Sequence, residues 1–361
     1  MSQPRQILHL ISSLDSSDES RQLQQLVVRQ SADGCKVRIV AFTAASQYRA
    51  HLEQAGATCR VLEMRWQYDP IATYRLATEL RQQPHDLLHI WGLTPLRYAK
   101  FVRPRSAGVP CLTTLSHLPA EKLNSFADWL VVPSPQKLGT AKTTVIPPGV
   151  AAPSSGPLSR AEFLKLLSLP AEARIIGMAG PLTRSRGLEE AIWCFELVRT
   201  LDERARLLIF GAGPDRHRLE RFSRLASEPS AIRFLGQQDD LEPWLPHLEV
   251  FWQLSAEQSA VPPLAALEAM ASRVPVVATD LAVHRQIIEA RRTGFLFPVA
   301  SRAICARHTM QLLQDKDMAS SIVASAADRV LGCFSMEAFQ SAYSQLYDQL
   351  LNSTESLTSN L

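Results

Sequence analysis

The sequence predicts an α/β protein with two doubly wound, Rossmann-like domains facing a cleft, on three observations. Short apolar, β-branched runs alternate with longer helical patterns almost from end to end, which is how a parallel sheet covered by helices on both faces is written. At 361 residues the chain exceeds one ordinary core and fits two domains. The alternation pauses once, at Pro147-Pro148-Gly149-Val150 and the Ala/Pro/Ser/Gly stretch to Pro157, which suits neither helix nor strand. The expected division is therefore 1–150 and 151–335, with further helical segments behind.

In the first half the candidate strands are Ile7 to Ser12, Lys36 to Thr43, Cys59 to Glu63, Asp86 to Trp91, Cys111 to Leu115, Asp128 to Val132 and Thr143 to Ile146. Helical patterns such as Glu19 to Gln30, Gln47 to Ala55 and Ile71 to Arg81 separate them. The alternation restarts with Arg174 to Ala179, Arg206 to Phe210, Ala231 to Leu235, Val250 to Leu254, Pro275 to Thr279 and Gly294 to Phe297. Leu188 to Leu201, Arg216 to Ala226 and Leu264 to Ala271 are helical between them. Ala300 to Leu313, Met318 to Leu331 and Met336 to Leu351 close the chain as helices, and 353–361 reads as a flexible polar tail.

Composition excludes disordered and fibrous classes, since 46% of residues are hydrophobic and 20% charged. Charge is uneven: residues 1–150 carry 17 Lys+Arg against 11 Asp+Glu, the remainder 21 against 24. Arg97, Lys100, Arg103 and Arg105 are the densest basic cluster. They could meet anionic lipid through a peripheral membrane contact, but no aromatic stripe stands beside them in the sequence, so a solvated face is the favoured reading. No nucleic-acid partner is expected. Six cysteines without a C-x-x-C pair predict free thiols, no zinc centre and a reducing compartment. With no signal peptide or apolar span in the sequence, a cytoplasmic location is expected, with any membrane contact at the inner face.

Several segments could carry chemistry. The turn Ala179-Gly180-Pro181-Leu182-Thr183-Arg184-Ser185-Arg186-Gly187 joins a strand to a helix, where backbone N–H groups, a helix N-terminus and two arginines suit a pyrophosphate. A solvated glycine-punctuated loop explains the same residues nearly as well. Phe210-Gly211-Ala212-Gly213-Pro214 reads rather as a tight turn set by backbone geometry. His117 follows a strand at the carboxyl edge where ligands of parallel sheets gather, while His89 inside Asp86–Gly92 reads as a satisfied core group. In the helix Leu264-Ala265-Ala266-Leu267-Glu268-Ala269-Met270-Ala271 only Glu268 is polar. A carboxylate on so apolar a surface calls for a partner, either a ligand diol or a cation such as Arg273 or Arg285.

Together these segments resemble the GT-B glycosyltransferases of glycosyltransferase family 4. The resemblance rests on DLLHIWG, Ala127 to Ser134, VIPPGV at 145–150, GPLTRSRG, FGAGPDR, IRFLG and above all LEAMASRVPVVATD. It implies transfer of a sugar from a nucleotide-diphospho-sugar with retention and without a metal or other cofactor, to a glycan, lipid or small-molecule acceptor. It further implies that the first domain receives the acceptor, the second holds the donor, and the final helix, 336–352, crosses back to the first. By matched position His117 is catalytic, and Glu268, Arg184, Arg186, Gly187, Gly236 and Thr279 bind donor, with Glu268 on the ribose. The chain departs from the pattern where Ala260 replaces a second acid, Val261 a glycine and Pro181 an arginine. An alternative is therefore a homologue that binds a nucleotide sugar or a partner protein without turnover; a GT-B epimerase is a third, weaker reading.

Overall fold

The computed structural model describes residues 4–102, 108–115, 128–135, 142–153, 158–257 and 261–358. In chain order these form β1 (Gln6–Leu14), α1 (Asp18–Ala32), β2 (Lys36–Ala44), α2 (Ser46–Gln54), β3 (Thr58–Val61), α3 (Pro70–Gln82), β4 (Leu87–Trp91), α4 (Leu93–Val102), β5 (Cys111–Thr114), β6 (Trp129–Val132) and β7 (Lys142–Val145). There follow α5 (Arg160–Leu166), β8 (Arg174–Ala179), α6 (Leu188–Leu201), β9 (Ala205–Phe210), α7 (Arg216–Ala226), β10 (Ile232–Gly236), β11 (Val250–Gln253) and α8 (Leu264–Ala271). The chain closes with β12 (Val276–Thr279), α9 (Ala282–Ile287), β13 (Phe295–Phe297), α10 (Arg302–Gln314), α11 (Lys316–Cys333) and α12 (Met336–Thr358).

The chain divides into two units, one of residues Met1–Gly149 with Met336–Leu361 and one of Val150–Ser335. In the first unit the strand order is β3-β2-β1-β4-β5-β6-β7, in the second β10-β9-β8-β11-β12-β13. Every neighbouring pair is parallel. Both are doubly wound sheets, in which the order of strand addition reverses between β1 and β4 and between β8 and β11; ligands of such sheets collect at the carboxyl ends beside those switch points.

Local chemistry explains the helix starts. Asp69 caps α3 by accepting the Ile71 and Ala72 N–H groups at 2.9 and 3.3 Å, ahead of Pro70, whose missing N–H costs nothing at that position. Ser159 and Glu162 close a capping box on α5. The short helices α4, α5 and α9 add to the sequence-predicted set. At the other end, α12 continues to Thr358, past the point where the sequence suggests a frayed tail.

His89 is a core group, as its place in β4 predicts. It is fully buried, with Nδ1 2.7 Å from the Tyr347 hydroxyl and Nε2 2.8 Å from Thr114 Oγ1, which in turn bonds the Tyr343 hydroxyl at 2.8 Å. The tyrosines belong to α12, so this network ties the last helix to the sheet of the first unit. Beside it, the Trp91 indole N–H donates to His9 Nδ1 at 3.2 Å, which leaves His9 Nε2–H to donate to Gln30 Oε1 at 2.9 Å. A proton on Nδ1 would face the indole donor, so His9 is held neutral.

Burial lowers the His9 pKa from 6.5 to about 4, against the smaller opposing effect of the Gln30 hydrogen bond. Above pH 6.5 this histidine costs the fold nothing. Between pH 6.5 and about 4 the unfolded chain takes up a proton that the folded chain refuses, so stability falls as pH falls, by roughly 3 kcal/mol in all. We expect wild-type protein to lose melting temperature across this window more steeply than His9→Gln. Parallel pH slopes for the two proteins would overturn this account.

Arg97 and Lys100 are exposed, as the solvated-face reading expects, and tertiary packing sets aromatic rings beside Arg97. Arg97 lines a groove with Tyr68, Tyr74 and Phe101, because α3 and the loop before it lie beside α4. Tyr68 and Tyr74 are distant from Arg97 in sequence and adjacent in the fold, while Phe101 lies four residues on, one turn along α4. Arg103 and Arg105 lie outside the described residues.

Candidate functional site

At the carboxyl edge of the second sheet the loops are bonded to one another. Leaving β8, Gly180 N–H donates to the Phe210 carbonyl at 3.0 Å and Leu182 N–H to Ala212 O at 2.9 Å; Gly211 N–H donates to Gly236 O at 2.7 Å. On the other side Ala256 N–H donates to Ser185 O at 2.9 Å, and Ser255 N–H to Thr279 Oγ1 at 3.2 Å. The chain ends of β10, β9, β8, β11 and β12 thus form one continuous rim. A rim with its backbone so committed is rigid, as a preorganised binding site requires.

The structure brings Arg184, Arg186, Gly187, Gly236 and Thr279 to this rim. Arg184 is exposed on a single 3-10 turn, and Gly187 ends that turn in the left-handed conformation at φ 64° before α6 begins. Arg186 is half-buried. Its guanidinium donates to the Ala179 carbonyl at 3.2 Å and packs so closely over Gly180 that a Cβ there would lie 2.1 Å from Nη2. Thr279 is buried, its hydroxyl taken by Ser255 N–H and 3.3 Å from His284 Nδ1, so it pins the β11 and β12 loops together.

Electrostatically the rim is positive at α6. The first-turn acids that would offset the helix N-terminus are engaged elsewhere: Glu190 is held by Arg302 at 2.5 and 2.7 Å, and Glu189 by Arg218. The hydrogen bond from Arg302 keeps the Glu190 carboxyl below the usual range. His284 is held below the usual imidazole range first by burial and then by the Arg186 charge, against the opposing hydrogen bond from Nδ1–H to the Thr279 carbonyl at 2.7 Å. It therefore serves as a neutral strut.

Glu268 lies on α8, the helix that leaves β11. Six of its eight residues are buried; Ala265 and Glu268, with Ser272 just beyond, form the one half-exposed stripe. Glu268 sits one turn in from the first helical residue, about 6 Å along the axis. Of the two cations that the sequence offers it, Arg285 is bound to Asp280 at 2.6 and 2.8 Å, and Arg273 is exposed beyond the helix end at φ 60°. His117 and Ala260 lie outside the described residues.

One residue escapes the sequence reading. Gln253 ends β11 buried, lines a small cavity with Gly180, Pro181 and Arg186, and its Oε1 has no hydrogen-bond partner among the described residues. The available signal was a lone polar residue at the carboxyl end of the apolar run Val250-Phe251-Trp252.

Two parallel, doubly wound units with this loop-built rim define the GT-B class of fold. Residues 173–315, which contain the rim, match the family described as Glycosyl transferases group 1. Among solved structures the chain is similar to a glycosyltransferase from Rickettsia africae, with a TM-score of 0.80, 17% identity and coverage of 97% of this chain and 99% of that one. It is also similar to an Anabaena protein solved in complex with UDP and glucose, with a TM-score of 0.81, 16% identity and coverage of 96% and 100%.

Curated relatives match shorter stretches. A lipopolysaccharide core biosynthesis glycosyltransferase of Rhizobium meliloti is 27% identical over 182 residues, 50% of this chain and 51% of that protein. The N-acetyl-alpha-D-glucosaminyl L-malate synthase of Bacillus anthracis is 29% identical over 147 residues, 41% of this chain and 38% of that protein. The match therefore spans about half the length of the first relative and less of the second.

Proposed function

We propose that this protein is a glycosyltransferase that takes a sugar from a nucleotide-diphospho-sugar and passes it to an acceptor with retention of anomeric configuration. The observation that carries the reading is the rim itself, where Arg184, Arg186 and the N-terminus of α6 present positive charge along one sheet edge. On this reading the diphosphate sits against those groups and the ribose hydroxyls donate to Glu268. Arginine charge then stabilises the departing diphosphate, so no metal is assigned to the site. With no carboxylate assigned as nucleophile, the acceptor attacks on the face the phosphate leaves, and the departing phosphate oxygen takes its proton. The role of His117 rests on the sequence resemblance alone. That the Anabaena protein holds UDP and glucose supports a nucleotide-sugar donor.

The test is a thermal-shift screen of the whole chain against uridine, guanosine and adenosine diphosphates and several of their sugars. A ligand at about 100 times its Kd stabilises the native state by about 2.7 kcal/mol, so the matching donor raises the melting temperature by several degrees. Absence of any shift at millimolar concentrations sinks the proposal. For the retained configuration, the anomeric proton coupling of the first product formed is decisive.

A further inference from the structure

On the first unit, α3 and α4 border a groove of about 470 Å³ walled by Tyr68, Pro70, Tyr74, Ala77, Phe101 and Val102, with Arg97 the one charged residue among the described residues of its lining. Phe101 is 80% exposed, Tyr74 74% and Tyr68 70%. Trp66 and Ile71, each more than half exposed, flank them in the chain. Among the described residues, three of the five exposed aromatic rings therefore line this groove, and a fourth, Trp66, stands two residues before Tyr68. So dense an apolar display on one face marks an interaction surface rather than ordinary solvent exposure.

Charge selects the occupant. Arg97, Lys100 and Phe101 stand at helical spacing on α4, and exposed Arg65 precedes Trp66. Among the described residues, no carboxylate lines the groove. The acids nearby in sequence are engaged: Asp69 caps α3, Glu63 pairs with Arg75 at 3.2 Å, and Glu79 with Arg60 at 3.3 Å. Pairing with a second copy of the same face would set these cations against themselves. Gln67, Thr73 and Thr94 are the groove's other polar residues, in a lining that is otherwise aromatic and aliphatic. Aromatic and aliphatic groups edged by arginine and lysine complement an anionic bilayer, rings entering the headgroup boundary while cations meet phosphate.

We propose that this face binds the surface of an anionic lipid bilayer, the groove accepting acyl-chain segments and Arg65, Arg97 and Lys100 the headgroup phosphates. The test uses the whole chain with vesicles of phosphatidylcholine alone and of phosphatidylcholine with an equal part of phosphatidylglycerol. Co-sedimentation with the anionic vesicles is expected, weakening with salt, together with a blue shift of tryptophan emission that Trp66→Phe abolishes. Arg97→Glu with Lys100→Glu should lower vesicle affinity about tenfold or more. Tyr74→Ser with Phe101→Ser should remove the binding that survives high salt. All four positions are exposed, so unchanged melting temperatures should confirm folding.

The proposal is overturned by failure to bind anionic vesicles, by undiminished binding of both double variants, or by release of the protein with millimolar glycerophosphate, which would mark a soluble-phosphate site. A lipid-free dimer abolished by both double variants would assign the face to a second copy instead and overturn it equally. Because these residues lie in the first unit and donor assays read the second, failure of this proposal leaves the donor reading standing.

Discussion

Glu268→Ala is expected to weaken nucleoside diphosphate binding about 10²-fold while the protein remains folded. Two hydroxyls of a ribose donating to one carboxylate make charge-assisted bonds, and losing both costs about 3 kcal/mol, with tenfold in affinity for every 1.4 kcal/mol. The helix α8 is anchored by the buried Leu264, Ala266, Leu267, Ala269, Met270 and Ala271, so it should keep its place when the carboxylate is removed. Glu268→Gln keeps one acceptor and should lose about tenfold. Calorimetry with a diphosphate and its 2′,3′-dideoxy analogue gives the decisive comparison: the analogue should bind wild type poorly and the alanine variant no worse than the parent nucleotide does. Equal affinity of wild type and Glu268→Ala for the ribonucleotide would remove Glu268 from the site.

Gly211→Ala should be the more damaging change to the protein itself. Gly211 stands at φ +141°, where an L side chain is strained, and a Cβ would lie 2.0 Å from the Gly180 carbonyl oxygen. That oxygen is backbone in the β8 loop and cannot swing aside. We expect a loss of about 3 kcal/mol, roughly 10 °C in the melting temperature of a unit this size, with donor binding lost as the β8 and β9 loops separate. A variant that melts within about 2 °C of wild type and binds nucleotide normally would show that the two loops are not the rigid pair described here. This outcome is independent of any assumption about chemistry.

Legibility followed the range of the interactions involved. The runs at β1, β4, β8 and β11 are local facts, since a strand buried on both faces must be apolar along its own length. Their alternation with helical segments was enough to predict parallel, doubly wound sheets. The special character of Glu268 was also local, because every neighbour on its own helix is apolar. The tight-turn reading of Gly211 was legible in kind, although the atom that forbids a side chain, Gly180 O, is 31 residues away along the chain. Gln253 went unnoticed because its partners in the cavity come from other strands.

By itself, then, the sequence determined the fold class, the course of most strands, and the stretch from Gly180 to Thr279 as the region carrying candidate donor residues, because periodicity and glycine placement act over a few residues. Strand order, the pairing of His9 with Trp91 and Gln30, the clasp of His89 by Tyr347, and the aromatic wall around Arg97 were decided only by tertiary structure. Each joins residues tens to hundreds of positions apart. Burial and charge at such places depend on which surfaces the packed sheets and helices bring together, which no local pattern records.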